Sequence, residues 1–413
     1  MILILHNHSK QPDIKLSNKT RILEFVRNQG QTTKPEIAKE LDISRPTVSA
    51  LVDELIEEGF LEDAGIGRST ELGGKRPKII AFRPSGGGII AVHIGIEMLD
   101  MALIDLSAHI LFRLQIKNQP GISKEEILRT LMDNTAKLID KGKAMNLSIM
   151  GIGVGSPGVI ERSSGTIRIA SHFHVLNDTH LGELLKKTFQ VPVWVDNECS
   201  NLGLAEQWFG IGQASNFVTL MTDIGIGAGI VINDQIMRGA DASFGEIGHT
   251  TIHFEGPNCR CGNRGCWEMY ASSGALIHRV AERLHETTHL KRKVSVKDEL
   301  TVHLIAEALK QGDRVVEQLA IDELGYYLGI GLVNIVNTFN PELIIIHGAM
   351  TELGEPLLAR LYREIQTRAL PTPASRVEIK FSTLKQDANI LGAGALVLKE
   401  LFDSPAYLFS AER

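Results

Sequence analysis

The chain has 413 residues, 43% of them hydrophobic and 5% aromatic, 39 glycines and a formal net charge of -6. That length leaves room for two or three domains with large cores, and the glycine-rich, ordinarily apolar composition suits an α/β protein with many turns. The charge gives no global sign of a nucleic-acid partner, but residues 1–88 carry 13 basic and 12 acidic side chains, leaving 30 basic and 37 acidic beyond. A near-neutral first segment therefore precedes an acidic remainder, and a local nucleic-acid site remains open. The opening Met1–Leu5 has neither a basic start nor a cleavage site, and no run reads as a membrane span, so a cytoplasmic protein is expected.

Residues 1–17 carry no clear period and read as a loose arm. From Asn18 the pattern is helical, with Ile22, Phe25 and Val26 on one face and Gly30 as the stop. Thr33 can cap a second helix with Pro35 in its first turn and Ile37, Ala38 and Leu41 inside. Ser44 then caps a third, with Val48, Leu51, Val52 and Leu55 turned inward. This is helix-turn-helix spacing, and Ser44, Arg45, Thr47 and Ser49 are the polar residues placed to reach base edges. A strand near Phe60, a glycine-rich loop containing Lys75 and Arg76, and a strand at 79–82 read as a wing whose charges suit phosphate contacts. The alternative is a three-helix protein-interaction module with a solvated loop.

Pro84-Ser85-Gly86-Gly87-Gly88 reads as a hinge by composition. Beyond it lie strands at 89–95, 101–104 and 111–116, a helix at 124–141, and buried strands at 149–155 and 191–195, the last ending at Asp196-Asn197-Glu198. Strands at 218–221 and 229–232 flank a second glycine loop. Helices follow at 273–287, 302–311 and 313–337, a strand at 343–348, and a closing helix at 389–402. The alternation supports an α/β fold with ligands at strand ends.

Three of the four cysteines, Cys259, Cys261 and Cys266, lie within a few residues of one another and shortly after His249. One imidazole and three thiolates match a structural zinc site, and Gly262 and Gly265 would let the backbone turn for the sulfurs to converge. A local disulfide or three unrelated thiols is the alternative, but a Cys-x-Cys bridge is strained. Glu246 and Glu268 flank the knot, where a fixed backbone could aim both carboxylates at neighbouring hydroxyls of a sugar.

Gly245-Glu-Ile-Gly-His249 followed by Cys259-x-Cys-Gly-x-x-Gly-Cys266-x-Glu268 resembles the signature of the ROK family of repressors and sugar kinases. The likeness runs from about Gly87 to the C-terminus, and the winged segment, with its Gly-Gly-Lys-Arg-Pro stretch, resembles the N-terminal module of ROK repressors. The resemblance implies a two-lobed, actin-like or ribonuclease-H-like sugar-kinase fold behind the winged helix. The expected division is 1–86, then 87–200 with 385–413, then 201–384. It implies zinc on His249, Cys259, Cys261 and Cys266, and a sugar or sugar phosphate facing Asn197, Glu198, Glu246, His249 and Glu268.

Family kinases resemble Asp-x-Gly-Gly-Thr at the first phosphate loop, where this chain has His93-Ile94-Gly95-Ile96-Glu97. Their Gly-Thr-Gly-x-Gly-x-Gly loop is replaced by Asp223-Ile224-Gly225-Ile226-Gly227-Ala228-Gly229, their Gly-Gly by Gly348-Ala349, and their Asn-Asp by Asn197-Glu198. Carboxylates pointing toward a triphosphate repel it, and a displaced base costs rate. The expected function is a sugar-responsive repressor that binds operator DNA as a homodimer or homotetramer and is no enzyme, with an ATP-dependent sugar kinase carrying a DNA-binding module as the alternative.

Overall fold

The computed structural model describes residues 14–67, 76–170, 173–293 and 300–409. Helix α1 (Ile14–Gln29) starts earlier than the predicted Asn18 and stops where Gly30 takes φ +74°. A short strand, β1 (Gln31–Thr33), is not marked by the sequence pattern and leads into α2 (Lys34–Glu40). Thr33 caps α2 reciprocally: the Glu36 amide donates to Thr33 Oγ1, and the Glu36 carboxylate accepts from the Thr33 amide. Ser44 caps α3 (Arg45–Glu57), which buries Val48, Leu51, Val52 and Leu55 as the spacing predicts. Strands β2 (Leu61–Ile66) and β3 (Lys78–Phe82) complete the winged helix, with β3 central in the order β1-β3-β2. The predicted wing residue Lys75 lies outside the described residues.

The body holds two five-stranded sheets. The first contains β4 (Gly88–Ile94), β5 (Met98–Asp105), β6 (Ile110–Lys117) and, after helix α4 (Lys124–Ala144), β7 (Ile149–Ser156). A separate hairpin, β8 (Val159–Glu161) with β9 (Thr166–Ile169), and helix α5 (Leu181–Phe189) precede its last strand, β10 (Val193–Asn197). The second sheet contains β11 (Phe217–Thr222), β12 (Ile226–Ile232), β13 (Gln235–Ile236), β14 (Leu343–His347) and β15 (Glu378–Phe381). The orders are β10-β7-β4-β5-β6 and β13-β12-β11-β14-β15. In each, the first three strands run antiparallel and the last two return parallel beside the first, so one lobe repeats the topology of the other. The sequence pattern shows neither this duplication nor β15, nor the helix Glu355–Arg368 before it.

Helix α6 (Glu198–Phe209) begins where the sequence pattern reads only a turn after β10. It packs against β7 and β10 of the first sheet and β11, β12 and β13 of the second. Residues Cys199 to Glu206 are all buried, because both faces of the helix are covered. The helix Ala388–Asp403, close to its predicted bounds, crosses α6 and packs on the first sheet. Ala393 O lies where a Cβ on Gly153 would come within 2.0 Å, so glycine there is what lets this helix approach β7.

The glycine segment after Pro84 is not a loose hinge. Gly87 and Gly88 are buried, and the Gly88 amide donates to Ser148 O. A Cβ on Gly87 would come within 2.7 Å of Met150 Cγ, so the glycines here permit close packing rather than motion. Ile22, Leu23, Val26 and Phe60 of the winged helix share one core with Ile89, Ile104, Leu401 and Phe402 of the body. The continuous helical run Arg314–Phe339 amends the expectation on membrane spans: it has the length and hydropathy of one, but 61% of its apolar window is buried inside the protein, as in a core helix.

Candidate functional site

The knot folds as its spacing requires. Gly262 and Gly265 take φ +93° and +65°, and a Cβ on Gly265 would meet His253 O at 1.7 Å. Ligand atoms of His249, Cys259, Cys261 and Cys266 all lie within 4.8 Å of one another. Cys261 Sγ is 3.7 Å from Cys266 Sγ, and Cys259 Sγ is 3.6 Å from His249 Nδ1. A tetrahedron built on metal–sulfur bonds of about 2.3 Å and metal–nitrogen bonds of about 2.0 Å has edges of roughly 3.5–3.8 Å, so these two separations match donors on one tetrahedral ion. Burial pushes the Cys259 and Cys266 thiols up, so a cation is what would hold them as thiolates.

Both flanking carboxylates face the same imidazole. Glu268 Oε1 lies 3.5 Å from His249 Nδ1 and accepts from the Cys259 thiol at 3.1 Å, while Glu246 Oε2 lies 3.8 Å from His249 Nε2. The Glu246 loop is laid along β12, where the Ala228 amide donates to Gly245 O. On that same strand, Cys199 packs against Gly227, whose Cβ would come within 2.5 Å of Cys199 Sγ. Burial, then the charges of Glu198, Glu246 and Asp223, push the Cys199 thiol up. The first turn of α6 thus puts a buried thiol within reach of the charges of both Glu198 and Glu246.

Asn197 has a structural task at this point. Its Oδ1 accepts from the amides of Cys199 and Ser200, capping α6, and its Nδ2 donates to Gly158 O. One amide hydrogen remains for a ligand. Glu198 Oε2 lies 2.8 Å from His93 Nε2. Two departures from the kinase pattern are therefore partners of each other, which spacing could not reveal across such a sequence distance.

The phosphate loops carry a second such pairing. Asp223, in the β11–β12 turn, accepts from the Ala349 amide at 2.8 Å. Its carboxylate sits so close to Gly348 that a Cβ there would come within 2.9 Å. Burial pushes the Asp223 carboxyl up; the Ala349 amide opposes this, Glu198 adds to it, His93 opposes it and Glu97 adds to it. The charges of His93 and Glu97, at and after the end of β4, thus reach Asp223 in the turn after β11. A further ion pair spans the lobes and has no signal in the sequence: buried Asp196, on β10, lies 3.0 Å from the guanidinium of Arg238, beyond β13, and 3.0 Å from that of Arg162.

In the winged helix, Ser44, Arg45 and Thr47 are exposed at the start of α3, and Ser49 is half-buried. Ser44 Oγ and Thr47 Oγ1 lie 2.7 Å apart, and Ser49 Oγ accepts from Lys34 Nζ at 3.1 Å. Arg76 is exposed at the foot of the wing.

Comparison with known proteins places both parts. Residues 13–69 match the MarR family, and residues 89–400 match the ROK family. The chain is 36% identical over 397 residues to the xylose repressor of Caldicellulosiruptor bescii, covering 95% of this chain and 98% of that one. Among solved structures it is similar to a ROK family transcriptional regulator, a homologue of the E. coli Mlc protein, with TM-score 0.81, 25% identity and coverage of 96% and 98%. A ROK glucokinase from Streptomyces griseus, solved with glucose and AMPPNP, matches with TM-score 0.67 and 25% identity over 75% of this chain and 99% of its own. The family match over most of the chain and the whole-length likeness to a repressor together make this chain a member of the ROK family with a MarR-type winged helix at its N-terminus.

Proposed function

We propose that this protein is a transcriptional repressor, not an enzyme, whose winged helix holds an operator until a sugar fills the cleft between the lobes. The observation that carries this reading is the Asp223 carboxylate bonded to the Ala349 amide, beside the His93–Glu198 pair. A phosphate cradle needs open backbone amides and a metal site. Here an amide is taken by a carboxylate, while Glu246 and Glu268 remain gathered beside the knot to accept from hydroxyls and the metal-free ring nitrogen of His249 to donate. The ion in that knot is zinc in this reading, since one imidazole and three thiolates are a closed, tetrahedral donor set.

The sugar is an aldose of the xylose kind, on the name of the relative that matches across the whole chain. Asn197, Glu198, Glu246, His249 and Glu268 would contact it from both lobes. The lobes are taken as 87–200 with 385–413, and 201–384, behind a winged helix in 1–86. A ligand held by both lobes favours the closed state, and release follows from the difference in affinity between states. The protein works in the cytoplasm on operator DNA as a homodimer, because two short reading helices double the base contacts across half-sites. Ser44, Arg45, Thr47 and Ser49 face bases, and Lys75 and Arg76 face phosphates.

A titration of labelled operator with D-xylose tests this, alongside an assay for ATP-dependent phosphorylation of common pentoses and hexoses. The expected result is release by sugar and no phosphorylation. Turnover at ordinary enzyme rates, or an operator complex indifferent to every aldose in a panel, overturns it.

A further inference from the structure

Helix α6 touches both functional ends of the molecule. Its first residue, Glu198, bonds His93 at the cleft, and its C-terminal end carries Trp208. Twelve residues span about 18 Å as an α-helix. The Arg27 guanidinium lies 4.2 Å from the centroid of the Trp208 ring, with Phe402 and Phe209 closing the same aromatic group at 5.8 and 6.0 Å. Burial there pulls Arg27 down to about 10. Arg27 belongs to α1, which packs on the reading helix α3 and holds it with the Lys15–Glu54 and Lys19–Glu54 ion pairs at 2.9 and 3.5 Å.

We propose that Arg27 and Trp208 are the positioning pair through which the cleft moves the DNA reader. A buried helix packed on both sheets is nearly incompressible, so displacement at Glu198 appears at Trp208. A sugar that bonds Glu198 competes with His93 for its carboxylate, which gives the two ends of α6 a common equilibrium. The stacked guanidinium then carries the shift to α1 by contact rather than through a loose linker. This rests on the reading of the cleft as a sugar site.

The test uses the full-length protein, a labelled operator fragment and D-xylose within an aldose panel. Trp208→Leu and Arg27→Leu remove the stack while leaving an apolar side chain in each place, and Arg27→Lys keeps a cation over the ring. Xylose binding, measured by calorimetry, and sugar-free operator affinity are expected within about threefold of wild type in all three. The sugar-induced loss of operator affinity is expected to fall below about twofold in both leucine variants and to survive in Arg27→Lys. Unchanged release in the leucine variants overturns the proposal. Tryptophan emission provides an independent reading: sugar should change it in the wild type, and Trp208→Phe should remove the part of the change that Trp208 contributes, leaving that of Trp194 and Trp267. A sugar-induced change as large in Trp208→Phe as in the wild type also overturns the pair. The wild type alone judges the sugar reading, while the variants judged against it test the pair.

Discussion

Between the winged helix and the first lobe the contacts are mainly apolar, with Phe60 meeting Phe409 edge-on at 5.7 Å inside a core that runs from Ile22 to Leu408 and the Arg27 and Lys19 cations resting on aromatic rings at its edge. Between the two lobes Leu204, Ala395 and Leu396 pack on Phe217, Val231 and Leu343, but charged side chains meet there too: Asp196 pairs with Arg238, and His93 with Glu198 on the first lobe's side. Apolar packing at interior density resists displacement, whereas ion pairs can exchange partners with water or a ligand. The difference teaches where this repressor can change shape. The reader is fixed to one lobe, so a sugar that moves the lobes, as proposed, would transmit that motion through solid contacts.

The largest effect should come from breaking the knot that fixes the second lobe's side of the cleft. Cys261→Ser, or removal of the metal, should lower stability by about 4 kcal/mol and the melting temperature by roughly 10 °C. Sugar release should vanish with it, since His249 sits between Glu246 and Glu268. Metal analysis of fresh protein should find about one zinc per chain; none would refute the assignment.

Breaking the apolar join comes next. Phe60→Ala removes a fully buried ring and should cost about 3 kcal/mol. Because the core is continuous, calorimetry should show the winged helix and first lobe melting together, in wild type and variant. A separate, earlier transition for the winged helix would show that the join is weaker than its packing.

The cleft side is sharpened by Glu246→Ala. Losing a charged acceptor should weaken sugar binding by about 2 kcal/mol, or roughly thirtyfold. Operator complexes of the variant should persist at sugar concentrations that dissociate the wild type. Release at the wild-type concentration would place the pocket elsewhere.

These regions are unequally legible in sequence. The knot is readable because metal geometry demands fixed residue types at short spacing, and Cys259, Cys261 and Cys266 meet it. The winged helix is readable because its caps at Thr33 and Ser44 are local hydrogen-bond signals. Helix α6 is not, because burial on both faces erases the period that marks a surface helix, and Gly203 and Ser200 lower its propensity. Glycines mislead at 86–88, since the same residue serves a loose linker and a tight crossing, and only the neighbour decides which. The pairs His93–Glu198 and Asp196–Arg238 join residues far apart in the chain, where single-sequence spacing carries no signal.

The smallest effect is expected at the far edge of the rigid body, and it separates reading from holding. Arg45 is exposed at the start of α3, where Ser44 and Thr47 are within hydrogen-bond distance of each other. A guanidinium there can donate two parallel bonds to a guanine edge, so Arg45→Ala should lose about 1 kcal/mol of preference for operator over unrelated DNA. Arg76, exposed at the foot of the wing, should contact phosphate only. Arg76→Ala should weaken every sequence alike and flatten the log–log salt dependence by about 0.9 for each phosphate it no longer neutralises, leaving the preference intact. Salt titrations on operator and scrambled fragments read both numbers. A drop in preference in Arg76→Ala, or its retention in Arg45→Ala, would reverse the assignment of reader and wing on an otherwise unchanged join.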